Sequence, residues 1–279
     1  MELNGRSFEF HVPAGLPLAP PPPLVLAFHG GGADGKAMRL LSNLDARADR
    51  EGWVVAYPDG LDGNWNDGRD APAIRAQRDR VDDVGLAAAL VDHLVAAAGI
   101  DRARVFATGF SNGGMLCHRL AVERPDLVAA IAPVSGPMPA PLARRRASLP
   151  VPVLMVHGTA DPIVPYDGGA VMGDADRGRV ASLEETAAYW RQANRCQPEA
   201  ILEDLVPPGP SDRTEVRQAT WRPADDEGAE VVAVTVEGGG HTWPGGRQYQ
   251  PERVIGVMAR AVQASDLIAA FFSRCKGRC

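Results

Sequence analysis

Short apolar segments recur along the chain, and several of them are apolar at nearly every position instead of at alternate positions. Uninterrupted apolar runs of this length are typical of strands that are covered on both faces of a parallel sheet. The pattern predicts strands at residues 7–12, 24–29, 53–58, 104–109, 128–134, 152–157 and 230–236.

Longer segments with a helical spacing of apolar residues lie between these strands. The spacing predicts helices at residues 82–98, 112–123, 182–195 and 252–273, and Asp82 or Asp83 can cap the first of them. The alternation of strands and helices favours an α/β fold in which helices cover both faces of a mostly parallel sheet. Of the 279 residues 45% are hydrophobic, and no long linker divides them. We therefore expect residues 1–279 to form a single domain.

Charge and hydropathy exclude two classes of partner. The formal net charge is −6, with acidic and basic residues mixed, whereas a nucleic-acid surface needs a basic stripe. No apolar run approaches the ~18 residues that a membrane span requires.

The N-terminal segment lacks the basic and apolar regions of a signal peptide. We expect a cytoplasmic protein if Met1 is the native start, and an extracellular or periplasmic one if a signal has been removed. The oligomeric state is left open.

Four cysteines are too few for a disulfide scaffold in a chain of this size. Cys117 falls in an apolar helical pattern and is expected to be a small core residue. Cys196 ends the run YWRQANRC. Cys275 and Cys279 fit either a terminal disulfide or two free thiols. No histidine pair accompanies them, so we expect no metal site.

Residues 109–115 read GFSNGGM, directly after one predicted strand and before a predicted helix. A nucleophilic serine has to stand on a sharp strand-to-helix turn, where its backbone is strained. The residues two before and two after it then crowd each other, which explains glycine at both of those positions. We identify Ser111 as the candidate nucleophile.

A glycine-rich loop, HGGG at residues 29–32, follows another predicted strand. Acyl transfer creates an oxyanion that preorganised N–H donors must stabilise, and a glycine lets its backbone N–H approach closely. We expect one donor from Asn112, the residue after the nucleophile. The second is assigned to Gly31, with Gly32 as the neighbouring option. His29 is interpreted as structural.

The same loop supports a second hypothesis. Residues 30–36 read G-x-x-x-x-G-K after a strand, which is close to the P-loop that holds phosphates. Ala37 stands where a serine or threonine would bind magnesium, so nucleotide binding is the less favoured alternative.

Two residues that follow later strands complete a catalytic set with Ser111. Asp161 comes just after a predicted strand and can orient a histidine, with Asp167 as the alternative. His241 follows three glycines after the last predicted strand, on a loop that we expect to be flexible. Serine, aspartate and histidine in this order along the chain are typical of an α/β-hydrolase.

Three aromatic residues lie close in sequence to these candidates. Phe110 precedes the serine, Trp243 follows the histidine, and Trp65 lies in GNWNDG. Each fits a wall of the substrate pocket or ordinary core packing.

The chain resembles the polyhydroxybutyrate-depolymerase and feruloyl-esterase-like branch of the α/β-hydrolases. The resembling segments cover most of the chain and read NGRSFEFHVP, LVLAFHGGG, DDVG, GFSNGGM, APVSG, HGTADPIVPY, YWRQANRC and VEGGGHTWPG. The resemblance implies an α/β-hydrolase fold and a serine carboxylesterase that needs no cofactor or metal. It also implies Ser111 as nucleophile, His241 as base and Asp161 as the acid that orients it. In relatives the cysteine matching Cys196 often pairs with one before the last strand, but residues 219–230 contain none.

The resulting hypothesis is hydrolysis of short-chain, aromatic-acid or hydroxyalkanoate esters through an acyl-enzyme. The helical stretch SLEETAAYWRQAN interleaves polar with apolar residues, unlike the broad apolar lid with which a lipase meets lipid. A peptidase of the same fold is the alternative, because the same three residues suit amides too.

Overall fold

Strands and helices alternate along most of the chain. The structure, a computed structural model, describes residues 1–16, 19–206 and 213–278. The strands are β1 (Glu2–Leu3), β2 (Arg6–His11), β3 (Leu24–Phe28), β4 (Val54–Pro58), β5 (Val105–Phe110), β6 (Ala130–Val134), β7 (Val153–Gly158), β8 (Gly169–Ala170), β9 (Arg179–Val180), β10 (Ile201–Val206), β11 (Glu215–Trp221) and β12 (Val231–Glu237). The helices are α1 (Gly35–Ser42), α2 (Asp45–Glu51), α3 (Arg75–Arg78), α4 (Asp83–Ala98), α5 (Asn112–Glu123), α6 (Leu183–Ala193), α7 (Glu252–Ile255) and α8 (Ala264–Arg274). Within the described residues, no helix has both the length and the apolar character needed to cross a membrane.

Ten of these strands form one sheet, in the order β1-β2-β4-β3-β5-β6-β7-β12-β11-β10. Its central strands, from β4 to β12, pair in parallel. Antiparallel pairs lie only at the margins, where β2 pairs with β1 and β4, and β11 pairs with β10 and β12. The predicted mostly parallel sheet is confirmed. The loops after the parallel strands all leave the sheet at one edge, and ligands bind at that edge in such folds.

Helices cover both faces of the sheet, as predicted. Strand β3 shows why, because its buried residues alternate between two hydrophobic clusters. Leu24 and Leu26 face the cluster that contains the apolar sides of α4, α5 and α6. Val25 and Ala27 face the cluster that contains those of α1, α2 and α8. A strand with both faces buried has no polar positions, so its sequence is continuously apolar.

The C-terminal helix and one margin of the sheet differ from the sequence prediction. The helix predicted at residues 252–273 is two helices, α7 and α8. Gly256 ends α7 with a positive φ of 80°, and a Cβ atom there would lie 2.6 Å from the Cα of Gly240. The strands β10 and β11 escaped prediction because they lie at the margin of the sheet, where polar side chains such as Glu203 and Arg217 face solvent.

Helix α6 begins with a reciprocal cap that we expect to contribute measurably to stability. The N–H of Glu185 donates to the Ser182 hydroxyl at 3.0 Å, and the Glu185 carboxylate accepts from the Ser182 N–H at 2.8 Å. Ser182→Ala should lower the free energy of unfolding by about 1 kcal/mol, because an N–H of the first turn loses its acceptor. Urea denaturation measures this. Ser148→Ala, at an exposed serine, is the control, and equal stability of the two variants would contradict the prediction.

Candidate active site

Ser111 stands on a strained turn between β5 and α5. Its backbone has φ 54° and ψ −118°, a conformation that residues other than glycine rarely adopt. A Cβ atom at Gly109 would lie 2.5 Å from the carbonyl of Gly113, and one at Gly113 would lie 2.3 Å from the carbonyl oxygen of Phe28. Side chains are therefore excluded at both flanking positions. The turn presents the Ser111 side chain, which is partly exposed, at the carboxyl edge of the sheet.

His241 and Asp161 form a buried hydrogen-bonded pair. Nδ1 of His241 lies 2.7 Å from Oδ2 of Asp161, and the two residues are 3% and 8% exposed. The other oxygen, Oδ1, accepts the N–H groups of Ile163 and Val164, each at 2.8 Å. An ionised carboxylate can only accept, so the proton of the neutral imidazole lies on Nδ1 and Nε2 is left as an acceptor.

A second histidine, His157, lies next to the same carboxylate of Asp161. His157, at the end of β7, places Nε2 2.9 Å from the carbonyl oxygen of Val164 and 3.4 Å from Oδ2 of Asp161. Burial alone would raise the pKa of Asp161. Interaction with His241 and the hydrogen bonds from His157 and His241 outweigh burial and hold that pKa well below its usual range. Asp161 therefore remains ionised at neutral pH. The sequence places His157 at the end of the predicted strand 152–157 and gives no signal of this contact.

The loop that carries His241 is tightly packed, so the expected flexibility of this loop is wrong. A Cβ atom at Gly240 would lie 2.1 Å from the carbonyl oxygen of Ile255. The backbone N–H of His241 donates to that same oxygen at 2.5 Å. The backbone carbonyl of His241 accepts a hydrogen bond from the hydroxyl of Tyr249 at 3.0 Å. Glycine is needed here for close approach of two backbones and not for mobility.

The two expected oxyanion donors are neighbours in space. A Cβ atom on Gly31 would lie 3.9 Å from the Cβ of Asn112. In the part of the chain that the structure describes, neither backbone N–H donates to another protein group. Asn112 is the first residue of α5, where N–H groups have no partner within the helix. The alternative donor is already used, because the Gly32 N–H donates to the carbonyl of Gly63 at 2.8 Å.

The N–H groups of residues 32–37 do not converge as those of a P-loop would. The Ala33 N–H donates to the carbonyl of Gly30. The N–H groups of Gly35 and Ala37 donate to the carboxylates of Asp59 and Asp34. The two carboxylates already occupy these N–H groups, and their negative charge would repel a phosphate. The geometry gives no support to the nucleotide-binding hypothesis.

Ser111, His241 and Gly31 line one cavity of about 270 Å³. Phe110 also lines it, and its ring centroid lies 4.7 Å from that of His241. The remaining lining residues are His29, Gly30, Gly32, Ala33, Ala37, Met38, Leu41, Ile163, Tyr249 and Gln250.

Trp65 and Trp243 do not line this cavity, and of their two interpretations the structure favours core packing over a place in the pocket wall. Each is at most 1% exposed, and each indole N–H is satisfied inside the protein. Trp65 donates to the carbonyl of His29 at 3.0 Å, and Trp243 donates to the hydroxyl of Ser265 at 3.0 Å. A buried indole needs such a partner, and both rings are part of the packed interior.

Several lining residues gave no sequence signal. Met38 and Leu41 belong to α1, whose apolar pattern is too short to stand out, and Tyr249 lies in an irregular loop. Tyr249 packs edge-on against Phe110 with ring centroids 5.7 Å apart. Only the tertiary structure brings these residues to the serine.

Among the described residues, no disulfide joins Cys117, Cys196 and Cys275 to one another. Cys117 is buried and donates to the carbonyl of Gly113 at 3.3 Å. Cys196 and Cys275 donate to main-chain carbonyls nearby. The predicted alternative of a disulfide between Cys275 and Cys279 stays untested, because Cys279 lies outside the described residues.

The lowered pKa of Asp161 predicts how stability depends on pH. An aspartate in the unfolded chain has a pKa of ~3.9. Above that pH the ionised Asp161 carboxylate makes its full contribution to the free energy of unfolding. The contribution is lost as the pH falls from that value through the lower pKa of the folded state. Asp161→Asn removes this contribution. The variant should be less stable than wild type at neutral pH, and the difference in free energy of unfolding should shrink below about pH 4.

Urea unfolding between neutral and acidic pH measures this difference. Asp167→Asn, at an exposed aspartate, is the matched control and should follow wild type throughout. A difference between Asp161→Asn and wild type that does not change with pH would contradict the prediction.

Comparison with known proteins identifies the family to which the chain belongs. A model of the phospholipase/carboxylesterase family matches residues 16–175, which include Ser111 and Asp161. The protein named "Putative esterase NocK" of Nocardia uniformis subsp. tsuyamanensis is 36% identical over 278 residues, which cover 95% of this chain and 78% of that protein. "Feruloyl esterase C" of Emericella nidulans is 28% identical over 222 residues, which cover 77% of this chain and 71% of that protein.

A solved structure confirms the fold. The acetyl xylan esterase from Aspergillus awamori matches with a TM-score of 0.59 at 18% identity, over 84% of this chain and 88% of that one. The α/β-hydrolase fold expected from the sequence is confirmed. The chain belongs to the phospholipase/carboxylesterase family.

Proposed function

We propose that this protein is a serine carboxylic-ester hydrolase that works through Ser111, His241 and Asp161. One observation carries the proposal. A buried His241–Asp161 pair, 2.7 Å apart, opens onto the same cavity as a serine on a strained strand-to-helix turn. Strain at one residue and burial of a charge both cost stability, and the two together at one cavity are typical of a catalytic site.

The mechanism follows from the direction of each hydrogen bond. Nε2 of His241 takes the proton of the Ser111 hydroxyl as the serine oxygen attacks the ester carbonyl. Asp161 keeps Nδ1 protonated and stabilises the imidazolium that forms. The carbonyl oxygen becomes an oxyanion, which the N–H groups of Asn112 and Gly31 stabilise.

Collapse of the tetrahedral intermediate breaks the bond to the alcohol, which leaves with the proton from His241. Water then gives a proton to His241 and attacks the acyl-enzyme. A second tetrahedral intermediate releases the carboxylic acid and returns the proton to Ser111.

The cavity favours small or flat acyl groups. Its volume of about 270 Å³ falls just below the ~300–1,000 Å³ range of pockets that enclose drug-sized ligands. Its apolar wall includes Phe110, Met38 and Leu41. Helix α6 buries Leu183, Ala187 and Trp190 in the core, so its apolar side is not available as a lid over the site. We therefore propose short-chain, feruloyl-type or hydroxyalkanoate esters as substrates, in line with the polyhydroxybutyrate-depolymerase and feruloyl-esterase-like branch.

Substitution of Ser111 and of Asp161 tests the mechanism. Ser111→Ala should abolish turnover of p-nitrophenyl acetate and labelling by a fluorophosphonate, because both need the serine oxygen. Asp161→Asn should lower kcat by up to ~10⁴, since His241 loses its productive tautomer. Asp167→Asn is the control and should behave as wild type.

Two outcomes would contradict this assignment of residues, and a third would change the class of substrate. A Ser111→Ala variant that keeps a tenth of the wild-type kcat would exclude Ser111 as the nucleophile. A severe loss in Asp167→Asn with a mild one in Asp161→Asn would move the acid to Asp167. Faster turnover of p-nitroacetanilide than of the matching ester would favour a peptidase.

The size of the cavity predicts a dependence on acyl length. Values of kcat/KM for p-nitrophenyl acetate and butyrate should exceed that for palmitate, and methyl ferulate should be a substrate, because the cavity accepts a short chain or a flat ring. Steady-state kinetics on this panel measures the order. A preference for palmitate, or a rise in rate above its micelle threshold, would indicate a lipase instead.

A further inference from the structure

The loop after β4, residues 60–68, contacts both halves of the proposed oxyanion hole. We call it the 60–68 loop. On one side it binds the glycine-rich loop at residues 29–32. The carbonyl of Gly63 accepts the N–H of Gly32 at 2.8 Å, and the N–H of Gly60 donates to Nε2 of His29 at 2.9 Å. Gly63 has a positive φ of 70°, and a Cβ atom there would lie 3.0 Å from the carbonyl oxygen of Ala33.

On the other side the 60–68 loop holds the side chain of Asn112. The Asn112 amide oxygen accepts the N–H of Trp65 at 2.8 Å. Its Nδ2 donates to the carbonyl of Trp65 at 3.1 Å and to Oδ2 of Asp67 at 2.5 Å. All the donors and the acceptor of this amide are therefore used inside the protein, where Asn112 is 1% exposed.

Among the described residues that hydrogen-bond the Asn112 side chain, Asp67 is the only one with an ionisable group. Asp67 is fully buried, and this burial raises the pKa of its carboxyl above the usual value. The charge of Arg69 and hydrogen bonds from Arg69 and Asn112 lower the pKa but offset the effect of burial only in part. Oδ1 accepts the Arg69 N–H and Nε2 of Gln77, each at 3.0 Å, and Nε of Arg69 lies 3.5 Å from Oδ2. Each hydrogen-bond or ion-pair partner of Asp67 in the described part of the chain is a donor.

An acceptor-only group is therefore required at position 67. An asparagine would turn its NH₂ toward the Asn112 side chain or toward the donors of Arg69 and Gln77, and either leaves donors facing each other. Burial of a carboxylate is costly, and apolar residues could fill the same space. Packing alone does not account for a charge at this position.

We propose that Asp67 is a positioning residue for the oxyanion hole, acting through the side chain of Asn112. The backbone N–H of Asn112 and its side chain share one Cα. Three hydrogen bonds on the side chain fix that Cα and so the direction in which the N–H points. This inference rests on the proposed function, because it assumes that the Asn112 N–H stabilises an oxyanion formed at Ser111.

Three variants test the proposal. Asp67→Asn removes the acceptor with little change in volume, and Asn112→Ala removes the side chain but keeps the backbone N–H. Asp62→Asn is the matched control, because Asp62 is an exposed carboxylate of the same loop that pairs with Arg75. Fluorophosphonate titration counts active sites, and kcat and KM for p-nitrophenyl acetate are then expressed per titrated site. Affinity for an aryl trifluoromethyl ketone reports on the tetrahedral oxyanion itself.

We expect kcat per titrated site to fall about 10- to 100-fold in Asp67→Asn and in Asn112→Ala, with KM within about threefold, because a misdirected donor costs less than a missing one. Affinity for the trifluoromethyl ketone should fall by the same factor as kcat. The double variant should lose no more than the worse single one, since both act through one contact. Asp62→Asn should match wild type.

A merely structural role would lower the titrated fraction and leave kcat per site unchanged, which would overturn the proposal. Unchanged affinity for the trifluoromethyl ketone, or a loss confined to KM, would do the same. If Asp67→Asn does not fold, the test rests on Asn112→Ala. A wild-type kcat per titrated site in Asn112→Ala would then refute the proposed positioning role. A wild-type protein that neither turns over esters nor reacts with the fluorophosphonate would instead refute the proposed function.

Discussion

Backbone packs directly against backbone around Ser111, and the geometry of the site depends on that contact. Gly109 and Gly113 approach each other so closely that a single added carbon atom would overlap main-chain atoms, and the same holds for Gly136 against the Ser111 carbonyl. Helix α5 can therefore begin directly at the edge of the sheet. The strained backbone of Ser111 follows from this junction, and so does the position of the Asn112 N–H, which donates to no other group in the described part of the chain.

Two buried carboxylates then fix the polar groups on either side of the serine. Asp161 receives two backbone N–H groups and two histidines, and it determines which nitrogen of His241 can act as a base. Asp67 receives the side chain of Asn112 and lies behind the proposed oxyanion hole. In both places the cost of burying a charge is offset by donors that are already in position. Rigid hydrogen-bond networks of this kind place the proposed catalytic groups before a substrate arrives.

The structural roles of the glycines and of the aromatic residues could be predicted from the sequence to different degrees. The need for glycine at 109 and 113 could be inferred because a serine on a sharp turn crowds its own near neighbours in the chain. The glycines before His241 were misjudged as a source of mobility, since their partner, the segment at Ile255 and Gly256, is distant in sequence. The sequence alone could not tell whether Trp65 and Trp243 face a pocket or the core. The acceptors of their indole N–H groups come from other parts of the chain.

Local chemistry in the sequence determined the α/β class, the order of the central strands and helices along the chain, and the candidates Ser111, Asp161 and His241. These features depend on apolar runs, helical periodicity and glycine placement, which act over a few neighbouring residues. The tertiary structure decided which residues wall the cavity, that the predicted last helix breaks at Gly256, and that the 60–68 loop contacts both proposed oxyanion donors. Those outcomes depend on contacts between segments far apart in the chain, and a contact of that kind leaves no periodic pattern in either segment.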